Sequence, residues 1–250
     1  MNAQRRYFDQ VLDLMHRIEA EEAPAIAAAA TRVADTIAAD RLIHVFGTGG
    51  HSVMGAEEVF FRAGGFVPVN AILDEGVLLA HGALRSMAVE RTPGYAQAVL
   101  GYHGVGHDDT LIVVNAYGVN ACTIDAAVYG KEHGCFVVGV TSVAIQRGLA
   151  PDHPARHPSR HDLCDLVDVV IDCKVPMGDA LVEIAGISQK VGASSTFCNA
   201  LVMNLIMVSA VERLAERGID PPIWQSGNSP GGDEANAQHV QRYRDRIKKL

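Results

Sequence analysis

Apolar positions along the chain follow two regimes. Over residues 4–39 they recur at helical spacing: Phe8, Val11, Leu12, Met15 and Ile18 form one stripe, and Ile26, Val33 and Ile37 form another within Ala-rich sequence. Pro24 stands where the second run begins, a position at which its missing N–H is harmless, so two helices are predicted ahead of the first strand. The pattern then changes to short apolar runs: RLIHVF (41–46), FVPVNAI (66–72), TLIVVNA (110–116), CFVVGVT (135–141) and DVVID (168–172). Runs apolar at nearly every position suit strands buried on both faces, and helical segments between them predict a parallel sheet in a three-layer α/β/α sandwich. Ligands of such a sheet lie at the carboxyl ends of its strands, where the strand order reverses. A long helix is expected from Ser194 to Glu216, closed by Gly218 and the Pro221–Pro222 pair, and a basic amphipathic helix ends the tail. A single domain over 1–250 accommodates all of this, with a helical extension (1–40), an α/β core (41–218) and a tail (219–250).

Charge narrows the partners. A net charge of −8 repels phosphates at long range, so nucleic acid is not an expected partner, and a phosphate ligand must be held by local amides, hydroxyls and a few cations. The most apolar run, Ala200 to Val211, contains Asn204 and Ser209 and is short for a bilayer; it reads as a buried helix, and no membrane partner is expected. No basic region followed by an apolar core and cleavage site opens the chain, so no secretory signal is expected. Cys122, Cys135, Cys164, Cys173 and Cys198 are scattered without a C-x-x-C pair, which fits reduced thiols in a cytoplasmic protein.

Candidate chemistry sits in the turns that leave the strands. GTGGHS (47–52) runs from the first strand into a helix; Gly49 and Gly50 let the backbone approach a ligand, and Ser52 can cap the helix or donate its hydroxyl. The turn is neither G-x-G-x-x-G nor a lysine-bearing phosphate loop. A second turn places Asn115, Tyr117, Gly118 and Asn120 between strand and helix, and a third, KVGASST (190–196), brings Ser194, Ser195 and Thr196 to the start of the long helix. Three helix starts rich in hydroxyls or amides suit one phosphate group better than a base or ring, and ordinary helix capping is the alternative.

These blocks carry a resemblance. FGTGGHSVMGAEE, NAYGVNACTIDAA, GCFVVGVTS, RHPSRHDLCDLVDVVIDCKVPMGDA and KVGASST together resemble a sugar isomerase (SIS) domain, most similar to stand-alone bacterial SIS proteins described as phosphosugar isomerases. The resemblance implies a flavodoxin-like five-stranded parallel sheet, phosphosugar binding in hydroxyl-lined loops, and active sites shared between the subunits of a homodimer or higher homo-oligomer. Two departures stand out: an extra glycine in the first turn leaves His51 or Ser52 at the usual serine position, and Asn115 and Tyr117 replace serines in the second.

Aldose–ketose isomerisation needs a base that moves a proton between adjacent carbons through an enediol, with an acid or relay at the oxygens. Glu57 and Glu58 follow the first turn, and since consecutive helical residues diverge, at most one faces the site; Glu58 is preferred. Glu75 follows the second strand at its carboxyl end, and SIS isomerases of the amidotransferase type carry a functional glutamate in a similar position. Asp74 is a capping alternative, while Glu90 beside Arg91 reads as a surface ion pair or part of a loop reaching a partner's site. His51 and His81 are proton-transfer or hydroxyl-binding candidates, since neutral imidazole both donates and accepts. Prolines 151, 154 and 158 break the four-residue spacing of His153, His157 and His161, so no metal site is expected, and no organic cofactor is required. The expected function is isomerisation of a sugar phosphate; a non-catalytic phosphosugar sensor and a SIS-type lyase or deaminase are the alternatives.

Overall fold

A computed structural model describes residues 2–250. The two helical runs of the sequence become α1 (Ala3–Glu21) and α2 (Ala23–Ala38), with Pro24 in the first turn of α2. Five parallel strands follow, β1 (Ile43–Gly47), β2 (Val69–Ala71), β3 (Thr110–Val114), β4 (Phe136–Thr141) and β5 (Val169–Asp172), in the order β2-β1-β3-β4-β5. Between them lie α3 (Met54–Val59), α4 (Ala83–Glu90), α5 (Tyr95–Tyr102), α6 (Ala121–Glu132) and α7 (Val143–Gly148). A two-stranded antiparallel hairpin, β6 (Ala180–Val182) and β7 (Val191–Ala193), leads into α8 (Ser195–Glu216), and α9 (Gly232–Tyr243) follows in the tail.

Alternation along the strands divides the core into two. Ile43, Val45, Ile112, Val114, Val138 and Val140 face α2 and α8, whereas Phe46, Leu111, Val113 and Val137 face α5 and α6. Phe46, Leu111 and Ile112 are fully buried, each contributing about 1.5–3 kcal/mol through the surface it removes from water. This is the expected three-layer α/β/α sandwich. By length and composition α8 could also cross a membrane, yet Cys198, Val202, Met203, Ile206, Met207, Ala210 and Leu214 pack into the core. The tail folds back as well: Trp224 exchanges backbone hydrogen bonds with Gly64 and Gly65, and Leu42, Val67, Trp224, Tyr243 and Ile247 form a third cluster.

Two details depart from the sequence reading. The buried stripe of α1 is Val11, Leu14 and Ile18, while Phe8 (53% exposed) and Leu12 (37%) lie on its outer side. Packing against α2 and α8 selects one side of a broad apolar face, and periodicity alone does not say which. The β6–β7 hairpin was not expected, because its strands are three residues each and break the alternation expected of a half-buried strand. It nevertheless shapes the site, since pairing of Ala180 with Ala193 sets Asp179 opposite Ser194.

Candidate functional site

The strand order reverses between β1 and β3, and the crevice beyond their carboxyl ends is where an open α/β sheet places its ligand. A cavity of about 540 Å³ lies there. Its floor is the turn after β1, including Gly49, Gly50, His51 and Ser52. The chain doubles back so tightly that a Cβ on Gly47 would strike the backbone of Ser52 and Val53. That collision fixes glycine at the start of the turn and lets the strand feed directly into the α3 segment.

The turn after β3 forms the next wall. Asn115 accepts hydrogen bonds at its side-chain oxygen from the amides of Tyr117 and Gly118 (3.0 Å each), and its Nδ2 donates to Thr48 Oγ1 at 3.2 Å. Asn115 thus braces the two turns against each other, a role a serine is too short to fill. Gly118 adopts φ +63°, and a Cβ there would run into Thr141 and Gln146. Asn120 is the N-cap of α6, but its side chain makes no capping bond and instead donates to the Ala155 carbonyl at 3.3 Å. The Thr123 amide donates to the Asn120 carbonyl at 3.1 Å, and the amides of Ala121 and Cys122 lack a side-chain cap at the positive end of the helix dipole.

The third helix start has a different fate. Asp179 Oδ1 accepts from the amides of Ser194 (2.8 Å) and Ser195 (2.7 Å), and its Oδ2 accepts from Ser195 Oγ at 2.7 Å. Ser194 Oγ also donates to Asp179, at 3.1 Å. An internal carboxylate thus occupies the place at α8 where the sequence suggested a phosphate. Thr196 turns instead toward Met54 Sδ, 3.6 Å away. Of the expected binding residues, Gly49, Gly50, Ser52, Asn115, Tyr117, Asn120 and Ser195 line the cavity together; Gly118, Ser194 and Thr196 do not.

The expected carboxylates lie elsewhere in the chain. Glu58 accepts from Asn204 Nδ2 on α8 at 3.0 Å and pairs with Arg62 at 3.2 Å, and Glu57 is exposed beside it on α3. Glu75 is exposed, and its backbone oxygen accepts from Arg85. None of the three lines the cavity: α3 packs against α8 and turns Glu58 toward Asn204, and Glu75 lies exposed in the turn after β2. His81 is likewise exposed in the 3-10 turn before α4 and outside the lining, whereas His51 is part of it. Asp74 acts as a brace, accepting from Tyr95 OH at 2.5 Å and from the Gly76 amide at 2.8 Å.

The carboxylate that does enter the cavity is Glu90. Ala83, Ser86, Met87 and Glu90 recur at i, i+3, i+4 and i+7, so one side of α4 faces the crevice. A Cβ on Gly49 would collide with Glu90 Oε2, which places the carboxylate directly above the glycine turn, with Asn115 Nδ2 close by. Burial raises its pKa to about 7, against the opposing pull of the Arg91 charge. The sequence leaves Glu90 as a surface ion pair with Arg91 or part of a loop reaching a partner's site; the signal for its place in this cavity is the α4 spacing, which puts it on the face of Ala83 and Met87. As for metals, Asp162, Cys164 and Asp165 lie close enough to share an ion, but Arg147 and Arg156 already hold the two carboxylates.

Comparison with known proteins adds to this geometry. Residues 6–142 match the model of the SIS domain. A UPF0309 protein of Halalkalibacterium halodurans is 37% identical over 241 residues, covering 96% of this chain and 94% of that relative. Another, from Brucella canis, is 39% identical over 241 residues, with 96% of each chain covered. Among solved structures, phosphoheptose isomerase GmhA from Neisseria gonorrhoeae superposes with a TM-score of 0.59 over 84% of this chain and 100% of that one. Its sequence identity is 15%, so the likeness is one of fold.

Proposed function

We propose that this chain, which belongs to the SIS-domain family, binds a sugar phosphate in the cavity beyond β1 and β3 and isomerises it between aldose and ketose. The observation that carries the reading is Glu90: a carboxyl group set over the glycine turn, free of hydrogen-bond partners among the described residues, with a pKa raised to about 7. A general base works best with a pKa near the operating pH, and an unengaged carboxylate in a crevice is poised to act on a ligand. The phosphate sits at the uncapped start of α6, flanked by Asn120 and Ser52, because α8 already has Asp179 as its anion. The acidic side of the cavity keeps the phosphate at that end and the reacting carbons toward Glu90.

In this reading Glu90 removes the proton from C2, electrons move to the carbonyl oxygen, and the enediol forms. Glu90 then returns the proton to C1 while His51 and the Ser52 hydroxyl exchange protons with the two oxygens. The name of the GmhA structure, phosphoheptose isomerase, supports the same class of chemistry. The test is exchange of the C2 hydrogen of sugar phosphates with deuterated solvent, followed by NMR. Exchange catalysed by the protein is expected; binding without exchange would make the chain a sensor and end the isomerase reading.

The subunits are proposed to associate. Phe8 and Leu12 on α1, and Phe197 (46% exposed) and Val208 (68%) on α8, leave the outer side of this layer greasy. A second copy laid across it would bury these side chains in a two-fold interface. Light scattering at micromolar concentration is expected to give at least a dimer, and a monomer would refute the association.

A further inference from the structure

What holds Glu90 over the glycine turn is only in part the packing of its own helix. Isolated helices shorter than about 12–15 residues are marginal in water, and α4 has 8 residues, of which Ser86 alone is buried. Near its start the helix is pinned by the Ser86 hydroxyl, which donates to the Val77 carbonyl at 2.7 Å. Past its end the chain turns through Pro93 and Gly94, and Gly94 takes φ +86° to enter α5. The Gly94 amide donates to Asp125 Oδ2 at 2.7 Å. Glu90 is the last residue of α4, a short turn ahead of that bond.

Asp125 is itself well held. It stands one turn into α6, is 6% exposed and lies outside the cavity lining, so it acts on the site only through what it holds. Its other oxygen, Oδ1, lies 3.3 Å from Nε2 of His157, in the loop that carries His153 and Ala155 into the cavity wall. The Ser159 amide donates to His157 Nδ1 at 3.0 Å, and the His157 amide donates to the Val119 carbonyl at 2.7 Å, which fixes the ring. A buried carboxylate is costly without partners. With Gly94 on one oxygen and His157 on the other, Asp125 is oriented and ties the α4–α5 turn to α6.

Resting on the assignment of Glu90 as the base, we propose that Asp125 is a positioning residue: by holding the Gly94 amide it fixes the end of α4 and keeps the Glu90 carboxylate above Gly49. Without that bond the end of α4 rests on the partly buried Val89. Misplacing a reacting group by about 1 Å costs on the order of 10²-fold in rate, because the atoms must start from near contact. Asp125 exchanges no proton with the substrate in this role.

The test reads Glu90 directly by NMR. In protein labelled with carbon-13 at the glutamate side-chain carboxyls, the Glu90 resonance is the one missing from Glu90→Gln. Its titration is followed in wild type, Asp125→Ala and Asp125→Asn, and wild type is expected at about 7. In Asp125→Ala the midpoint should fall by at least about one pH unit toward the ordinary glutamate value of about 4.3, since a loosened α4 lets water reach the carboxyl. Asp125→Asn keeps an acceptor for the Gly94 amide and should titrate near wild type. In C2-hydrogen exchange, kcat should fall about 10–100-fold in Asp125→Ala with KM changed less than about threefold, and Asp125→Asn should restore it. An equal fall of the midpoint in both variants would report only the lost negative charge. That result, an unmoved midpoint in Asp125→Ala, or an unchanged kcat there overturns the proposal. Asp125→Ser carries the same expectation as alanine, and failure of both to fold would make Asp125 a residue of the fold and overturn it too. Absence of exchange in wild type ends the isomerase reading, while the titration still decides whether Asp125 places Glu90.

Discussion

Glu90→Gln is expected to lower kcat by about 10²–10⁴-fold on the sugar phosphate whose C2 hydrogen exchanges, with KM little changed. The substitution keeps the shape of the side chain over Gly49 and removes the group that accepts the proton. Wild-type activity should rise with pH up to about 7 as the carboxyl ionises, and that limb should vanish in the variant. Stability should move in the opposite sense. A carboxyl whose folded pKa is raised holds its proton more tightly when folded, so its contribution is most favourable below the unfolded value of about 4.3 and declines as pH rises to about 7. Glu90→Gln removes that decline. Discounted for partial exposure, the gain at pH 8 is about 1 kcal/mol, a rise in Tm of roughly 2–4 °C for a chain of this size. Thermal melts at pH 5 and pH 8 measure it; an unchanged kcat would end the assignment of Glu90 as the base.

The second large effect lies at the other end of the sheet. Asp109, just before β3, is 5% exposed and lies 3.2 Å from His44 Nε2, with the Gly106 amide donating at 3.2 Å and Arg41 forming an ion pair at 3.2 Å. Asn70 Nδ2 donates to His44 Nδ1 at 2.9 Å, so Nε2 is the ring nitrogen that faces Asp109. Asn70 Oδ1 meets His103 Nδ1 at 3.4 Å, and burial pushes the His103 pKa down to about 4. Burial alone would raise the Asp109 pKa, but the hydrogen bond from His44 and the charges around it hold it below the usual range.

Asp109→Ala should therefore cost about 3–5 kcal/mol, because it leaves buried donors with nothing to meet. At about 2–4 °C per kcal/mol, Tm falls by roughly 6–20 °C. Asp109→Asn, which keeps one acceptor, should cost less. The sign of the pH dependence is opposite to that of Glu90: a depressed carboxyl stabilises above its unfolded value of about 3.9, and this is lost as pH falls through the lower folded value. Circular dichroism melts at pH 3 and pH 7 are the measurement, and a Tm within about 2 °C of wild type for the alanine variant would contradict the network. Since the site lies at the carboxyl ends of the strands, ligand affinity below the variant's Tm should be retained.

Much of the fold was legible because it rests on local pattern. Each apolar run such as TLIVVNA became a strand, Pro24 marked the start of α2, and Gly47 and Gly118 stand where the backbone leaves no room for a side chain. The convergence of the first two turns was legible too, because parallel strands put successive carboxyl ends on one edge. The acidic residues were not. Glu57 and Glu58 are the carboxylates that most closely follow the glycine turn in sequence, yet the partner of Glu58 is Asn204, 146 residues away on α8.

By itself, then, the order of residues determined a parallel α/β sandwich and the turns that line its crevice, since hydrophobic period and glycine placement act over a few neighbouring positions. Tertiary structure alone decided which carboxylate enters the crevice and which caps a helix. Glu90 reaches it because α4 lies across the first turn, and Asp179 takes the start of α8 because a short hairpin sets it opposite Ser194. Those outcomes depend on burial and on partners far apart in the chain, and burial is what lifts the pKa of one glutamate to about 7.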